Sequence, residues 1–148
     1  MTIATFPQAT SKNPDSMAIV GFPVPVWADT TDTDLDDRTA SASERGFTVS
    51  LTATLNKVMW NFGDSSPPVT CYGPGTPYGL NTLSPEYKVV CGYQDGYQKQ
   101  GEYTVTATAH WNVDWTGIGQ SGTIAQELVS EEHLRVGEYQ VINVIPKS

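Results

Sequence analysis

The sequence predicts an all-β fold, a β-sandwich of two antiparallel sheets with an extended N-terminal arm, and three observations carry that prediction. Apolar and polar residues alternate strictly over residues 47–55 and 103–115, the two-residue period of a half-buried strand. Clusters of Gly, Pro, Asn, Asp and Ser punctuate the apolar runs at short intervals. No segment shows the 3.6-residue period of an amphipathic helix, so many short strands with one apolar face each must bury that face against a second sheet.

Residues 1–16 are polar, contain proline and have no period, which reads as a flexible or extended arm. Residues 17–27 are apolar but broken by Gly21, Pro23 and Pro25, and suggest an edge strand or polyproline stretch, since proline cannot donate to a central ladder. Residues 29–45, DTTDTDLDDRTASASER, are acidic and then small and polar, and read as a loop. The sandwich proper is expected over residues 46–148. Phe47, Val49, Leu51, Ala53 and Leu55 share one face of a first strand, and after Asn56 and Lys57 a second carries Val58, Trp60 and Phe62. Residues 65–100 are rich in Pro, Gly, Tyr and Ser and read as an insertion, mostly loop, with short strands near residues 69–71 and 87–91. In GEYTVTATAHWNVDW, Tyr103, Val105, Ala107, Ala109, Trp111, Val113 and Trp115 share the face assigned to the core. A Gly-rich turn over residues 116–122 leads to last strands over 123–129 and 135–144, joined by the polar SEEHL.

The charge balance excludes some partners. Eight Lys and Arg stand against sixteen Asp and Glu, the wrong sign for tracking phosphates, so nucleic acid is not expected. No apolar run approaches the roughly 20 residues that cross a bilayer as a helix. Cys71 and Cys91, in a chain rich in Thr, Ser, Gly, Tyr and Trp, read as a disulfide of an extracellular protein, worth roughly 3 kcal/mol for a loop of that length; the other reading is two reduced, buried thiols. The first fifteen residues carry neither the basic nor the apolar region of a secretory signal, so a signal has been removed or the protein travels by another route.

Two segments resemble the PKD family of Ig-like extracellular modules. Trp60-Asn61-Phe62-Gly63-Asp64 is similar to the family's W-x-F-G-D-G, and Tyr97, Gly101, Tyr103 and Val105 fall in its Y-x-x-x-G-x-Y-x-V spacing. The resemblance implies that Trp60 and Phe62 fill the space between sheets, that Gly63 permits a turn and Asp64 accepts its N–H groups, and that Gly101 frees the entry to the strand holding Tyr103. Ser65 departs from the pattern, standing where the family prefers Gly, and the stretch from Asp64 to Tyr97 is longer than usual. Over roughly residues 18–144 the chain also resembles secreted or membrane-anchored actinobacterial PKD-domain proteins, through Val20-Gly21-Phe22-Pro23, the Cys71 to Tyr78 segment, Ser84-Pro85 before Cys91-Gly92, and Thr106 to Trp111 followed by Trp115. A nucleotide-binding label attached to some of these finds no support in the sequence, which has no phosphate-cradling glycine motif.

Candidate sites are few. Tyr72, Pro74, Thr76, Pro77 and Tyr78 form a stiff loop beside a cysteine, a recognition surface at low entropic cost for a protein or glycan partner, or else a cover for the sandwich edge. Asp32, Asp34 and Asp36 alternate along an extended segment and make a weak calcium candidate; an EF-hand fails, because counting from Asp32 position six is Asp37 and position twelve is Ser43. His110 and His133 have no nucleophile or orienting acid in any recognisable motif, so no enzyme and no cofactor is expected. The expectation is a non-catalytic extracellular binding or scaffold module at an actinobacterial cell surface, with self-association open to it; the alternative is a structural or decoration protein of a phage virion.

Overall fold

The computed structural model describes residues 1–28, 38–44, 46–77 and 91–138, and among these it is all-β, with two sheets and no helix. The strands in chain order are β1 (Ile3–Thr5), β2 (Ala18–Ile19), β3 (Val24–Ala28), β4 (Arg38–Glu44), β5 (Phe47–Asn61), β6 (Val69–Cys71), β7 (Gly92–Tyr93), β8 (Gly101–Gly117) and β9 (Gln120–Gly137). The larger sheet runs β2-β9-β8-β5-β4, with β6 also beside β5, and the smaller runs β1-β3-β7. One core joins them: Ile3, Val24, Val26 and Ala28 of the small sheet with Val58, Trp60, Val105, Ala107, Ala109, Trp111, Leu134 and Val136 of the large one. That layout is compatible with a β-sandwich.

The long strands follow from alternation and from one phase change. β5 is a single strand of 15 residues where the sequence suggested two. Its apolar positions switch from odd (Phe47 to Leu55) to even (Val58, Trp60), and the ladder with β8 shifts register between Leu55 and Lys57. An extra residue at that point is a bulge, which lets the strand continue while its side chains change parity and stay on one face. β9 is likewise continuous, so SEEHL lies within a strand of 18 residues and is no linker. The turn before it is tighter than the Gly-rich stretch suggested: Gly117 pairs with Gln120, and Ile118 and Gly119 both take positive φ, 53° and 70°, as a two-residue hairpin requires.

Three further expectations are corrected. Residues 38–44, read as loop, form β4, which pairs with β5 from Arg38↔Ala53 to Glu44↔Phe47; a ladder of backbone groups needs no apolar side chains, so the hydrophobic pattern carried no sign of it. The arm is packed: β1 pairs with β3, and Ile3, Thr5 and Ala9 are buried. β3 is the middle strand of its sheet, not an edge. Pro25 is tolerated there because it lies one residue past the end of the β1 ladder, where its carbonyl accepts from Phe6 N–H at 3.0 Å and its missing donor falls beside a chain that is already turning away.

The small sheet covers only one end of the large one. On β8 the core face is buried from Val105 to Trp111, while Val113 and Trp115, on the same face, are only half-buried. Phe47 and Leu51 on β5 are exposed for the same reason. Trp115, assigned to the core by parity, is therefore on the right face but beyond the cover. Trp60 and Trp111 are buried, and neither indole N–H has a hydrogen-bond acceptor among the described residues. Trp60→Ala is expected to cost ~3–5 kcal/mol in urea denaturation, whereas Leu51→Ala, outside the cover, costs less than about 1 kcal/mol.

Candidate functional site

Two neighbouring features grow out of the segment between β5 and β8. The first is the loop after β6. Cys71 ends β6 and pairs with Val58 of the large sheet, and Cys91 immediately precedes β7 of the small sheet. The disulfide between them, with Cα atoms 5.9 Å apart, thus ties the flanks of the two sheets together. Past Cys71 the chain leans on β3: Ala28 N–H donates to Pro74 C=O at 2.7 Å, and Gly75 (φ 86°) lies so close to the Val26 and Trp27 backbone that a Cβ there would stand 2.8 Å from the Val26 carbonyl oxygen. A glycine is required at that approach. Held at both points, the loop turns Tyr72 out to 84% exposure, with Thr76 and Pro77 also exposed and Pro74 half-buried. Tyr78 lies outside the described residues, as do Asp32, Asp34 and Asp36.

The second feature is an aromatic cluster at the turn after β5. Asn61 Oδ1 accepts from Gly63 N–H at 2.8 Å, and Gly63 (φ 79°) passes so near Thr104 that a Cβ would stand 2.5 Å from its carbonyl oxygen. Asp64 then accepts from Ser66 N–H at 3.1 Å and from the Tyr93 hydroxyl at 2.8 Å, with the Ser66 hydroxyl donating to it as well. Phe62 stacks on Tyr93 with centroids 4.8 Å apart, Tyr97 stacks on Tyr103 at 4.3 Å, and Tyr93 meets Tyr97 edge-on at 5.2 Å. The hydroxyls are all used: Tyr97 donates to Phe62 C=O at 2.8 Å and Tyr103 to Lys99 C=O at 2.8 Å. Beside the cluster lies a concavity of about 430 Å³ lined by Asp64, Ser65, Ser66, Tyr93, Gln98, Lys99 and Tyr103.

Titration follows this wiring. Burial pulls the Asp64 carboxyl upward, but the bonds from Ser66 and Tyr93 outweigh it and hold the group below its ordinary value. Burial and the Asp64 carboxylate push the Tyr93 phenol up, and burial, with Asp64 and the neighbouring phenols behind it, pushes the fully buried Tyr97 up much further. At neutral pH the cluster is one carboxylate held by neutral donors.

Of the residues singled out in sequence, Phe62, Gly63, Asp64 and Tyr103 meet in this cluster with Tyr97; Trp60 lies in the core, and Gly101 opens β8 opposite Val136. Tyr93 was missed, although it binds Asp64 and stacks on Phe62; the only hint was an aromatic two residues past a cysteine. His110 Nδ1 lies 3.3 Å from Glu127 Oε1, and His133 Nδ1 lies 3.2 Å from the Thr104 hydroxyl. No group of three or more His, Cys, Asp or Glu that could hold a metal occurs among the described residues, and no helix of theirs is long and apolar enough to cross a membrane. Comparison with family models, with curated proteins and with solved structures gives no match.

The turn and the cluster lead to three stability predictions. Ser65 holds a left-handed φ of 68°. Relief of that strain, at about 1–2 kcal/mol, exceeds the ~0.4–1 kcal/mol by which glycine loosens the unfolded chain, so Ser65→Gly is expected to gain roughly 0.5–1 kcal/mol in chemical denaturation. Tyr97 has a folded value above its unfolded one near 10, so its contribution is whole below about pH 10 and is lost as pH rises past it. Tyr97→Phe should lose ~1–3 kcal/mol at pH 7 through the unpaired Phe62 carbonyl and should flatten the alkaline limb of the stability curve. Asp64, shifted the other way, contributes above about pH 4 and loses that contribution as pH falls, so Asp64→Asn should flatten the acid limb.

Proposed function

We propose that this chain is a non-catalytic, extracellular binding or scaffold module of the PKD, Ig-like type, making protein or glycan contacts at an actinobacterial surface. The observation that carries the binding role is the Tyr72 loop. A large aromatic side chain at 84% exposure, next to a disulfide and with the loop behind it hydrogen-bonded to β3, gives a partner contact area at a reduced backbone ordering cost. A tyrosine in that position stacks on a sugar ring or fills a protein pocket through one face and hydrogen-bonds through its hydroxyl.

The PKD assignment rests on how the motif residues are used. The W-x-F-G-D segment makes a turn fixed by Gly63 and Asp64, and Ser65, which replaces the family's glycine, occupies a left-handed conformation that glycine would take without strain. Tyr97, Gly101 and Tyr103 place two stacked rings at the entry of β8. The disulfide agrees with an oxidising compartment.

A second reading, a structural or decoration protein of a phage virion, is favoured by a different feature: β8 and β9, of 17 and 18 residues, run past the core as an exposed ribbon of the kind an assembly uses to reach a neighbour. Antibody labelling of intact cells and of purified virions separates the two locations.

The binding role is tested on a glycan array and with purified surface proteins, comparing the unaltered chain with Tyr72→Ala. Retention is expected to fall at least about tenfold, the scale of an exposed aromatic anchor. Equal retention by the variant overturns the assignment to this loop.

A further inference from the structure

Among the described residues, β9 is an edge strand over most of its length. Within that set its outer side is met near its end, where Thr10 N–H donates to His133 C=O at 2.9 Å, the Ser130 hydroxyl donates to Met1 C=O, and β2 runs parallel to Val136 and Gly137. No described strand lies beside residues 120–129. The same contacts fix the direction of the backbone groups. His133 gives its carbonyl outward to Thr10, and Gly137 gives its own outward to Val20 at 2.9 Å. The β8–β9 ladder has no register shift, so Thr123, Ala125, Glu127 and Val129 also point N–H and C=O away from β8.

Proteins protect such edges with lysine, proline, a bulge or an inward charge. Residues 120–129, QSGTIAQELV, contain no lysine, arginine or proline. Their one charge, Glu127, faces His110 of β8 at 3.3 Å. Ile124, Leu128 and Val129 are 46%, 41% and 64% exposed, on both faces of the strand.

The segment is also self-complementary about Gln126. Laid antiparallel on another copy of itself, Ile124 falls opposite Leu128 of the second copy, Thr123 opposite Val129, Ala125 opposite Glu127, and Gln126 opposite its own equivalent. Every outward-pointing residue from Thr123 to Val129 then meets another outward-pointing residue, so each such pair exchanges both of its hydrogen bonds. The apolar pairs Ile124–Leu128 occur twice, once on each side of the axis, and Thr123–Val129 also occurs twice on the opposite face. Glu131 falls opposite Ser121 and Glu132 opposite Gln120, so no acidic side chain is directly opposite another; the two Glu127 are diagonal across the axis, each set against His110 of its own copy. A register in which pairing, apolar contact and charge all agree is what a two-fold, isologous interface requires.

We propose that two copies of this chain join through β9, antiparallel about a two-fold axis at Gln126, so that one sheet continues across both. The interface stands apart from the Tyr72 loop and holds whether or not that loop binds a partner.

The full-length chain is tested by sedimentation velocity. The unaltered protein is expected to sediment as a dimer. Gln126→Lys and Gln126→Glu each set like charges against each other at the axis and are expected to sediment as monomers, with near-ultraviolet circular dichroism unchanged. Mixed in equal amounts, the two variants are expected to recover the dimer, since lysine then meets glutamate only across copies. A variant independent of charge, Gln126→Cys, is expected to form a disulfide-linked dimer under mild oxidation, because the axis brings the two Cα atoms to the close spacing of a pair that is not hydrogen-bonded. A monomeric unaltered chain, a dimer that survives both charge variants, or a mixture that stays monomeric overturns the proposal.

Discussion

The small sheet covers only one end of the large one, and the rest of the structure depends on that partial cover. β1, β3 and β7 are short, so Ile3, Val24, Val26 and Ala28 can bury the large sheet's face at Val58 and Trp60 on β5 and from Val105 to Trp111 on β8, and no further. One strand therefore has two environments. Trp111 is core, while Trp115, four residues along the same face, is half-exposed. The N-terminal segment is then no appendage, because Ile3, Val24, Val26 and Ala28 supply one side of the core, whose burial is worth about 25 cal/mol per Å² of apolar surface.

The stapled segment serves the same cover from its flank. The Cys71–Cys91 bridge joins β6 of one layer to β7 of the other, so the two short strands that close the side of the core cannot separate independently. The Asp64 turn adds a polar counterpart, with its carboxylate held by Ser66 and Tyr93 and its aromatic neighbours packed on Phe62. This network is satisfied throughout, which makes it a rigid support. Its completeness separates it from the Tyr72 loop: the cluster has spent its hydrogen bonds internally, whereas the Tyr72 side chain projects from a fixed backbone into solvent.

How much of this was legible in sequence depends on whether a side chain or a backbone group carries the interaction. Alternation showed the strands and the shared face of Val105, Ala107, Ala109 and Trp111, and the PKD-like spacing pointed to Phe62, Asp64, Tyr97 and Tyr103. The change of parity at Asn56 was visible too, but a broken alternation reads equally as a strand end or a bulge, and only the register decides. β4 was hidden because its pairing is made by backbone groups that every residue carries. β1 was hidden because a three-residue strand is too short for a period, and β3 was read as an edge strand or polyproline stretch because Pro25 argued against a central position that the end of β1 in fact permits. The limit of the core was hidden for another reason: parity tells which face a residue takes, and nothing local tells how far an opposing sheet extends.

The uncovered end also explains where an acidic chain can approach a copy of itself. Eight excess negative charges oppose contact at long range, but screening confines that repulsion to about 8 Å at physiological salt, so the local distribution decides. Glu131 and Glu132 lie where β9 is flanked by the N-terminal segment. Between that flank and the hairpin at Ile118 and Gly119, β9 carries only Glu127, already set against His110. Because the small sheet stops short, Ile124 and Leu128 on the face it would cover are left exposed, and no described strand lies beside this near-neutral stretch. Partial cover thus produces the long ribbon and also the least repulsive surface along it, and in this chain the two coincide on one strand.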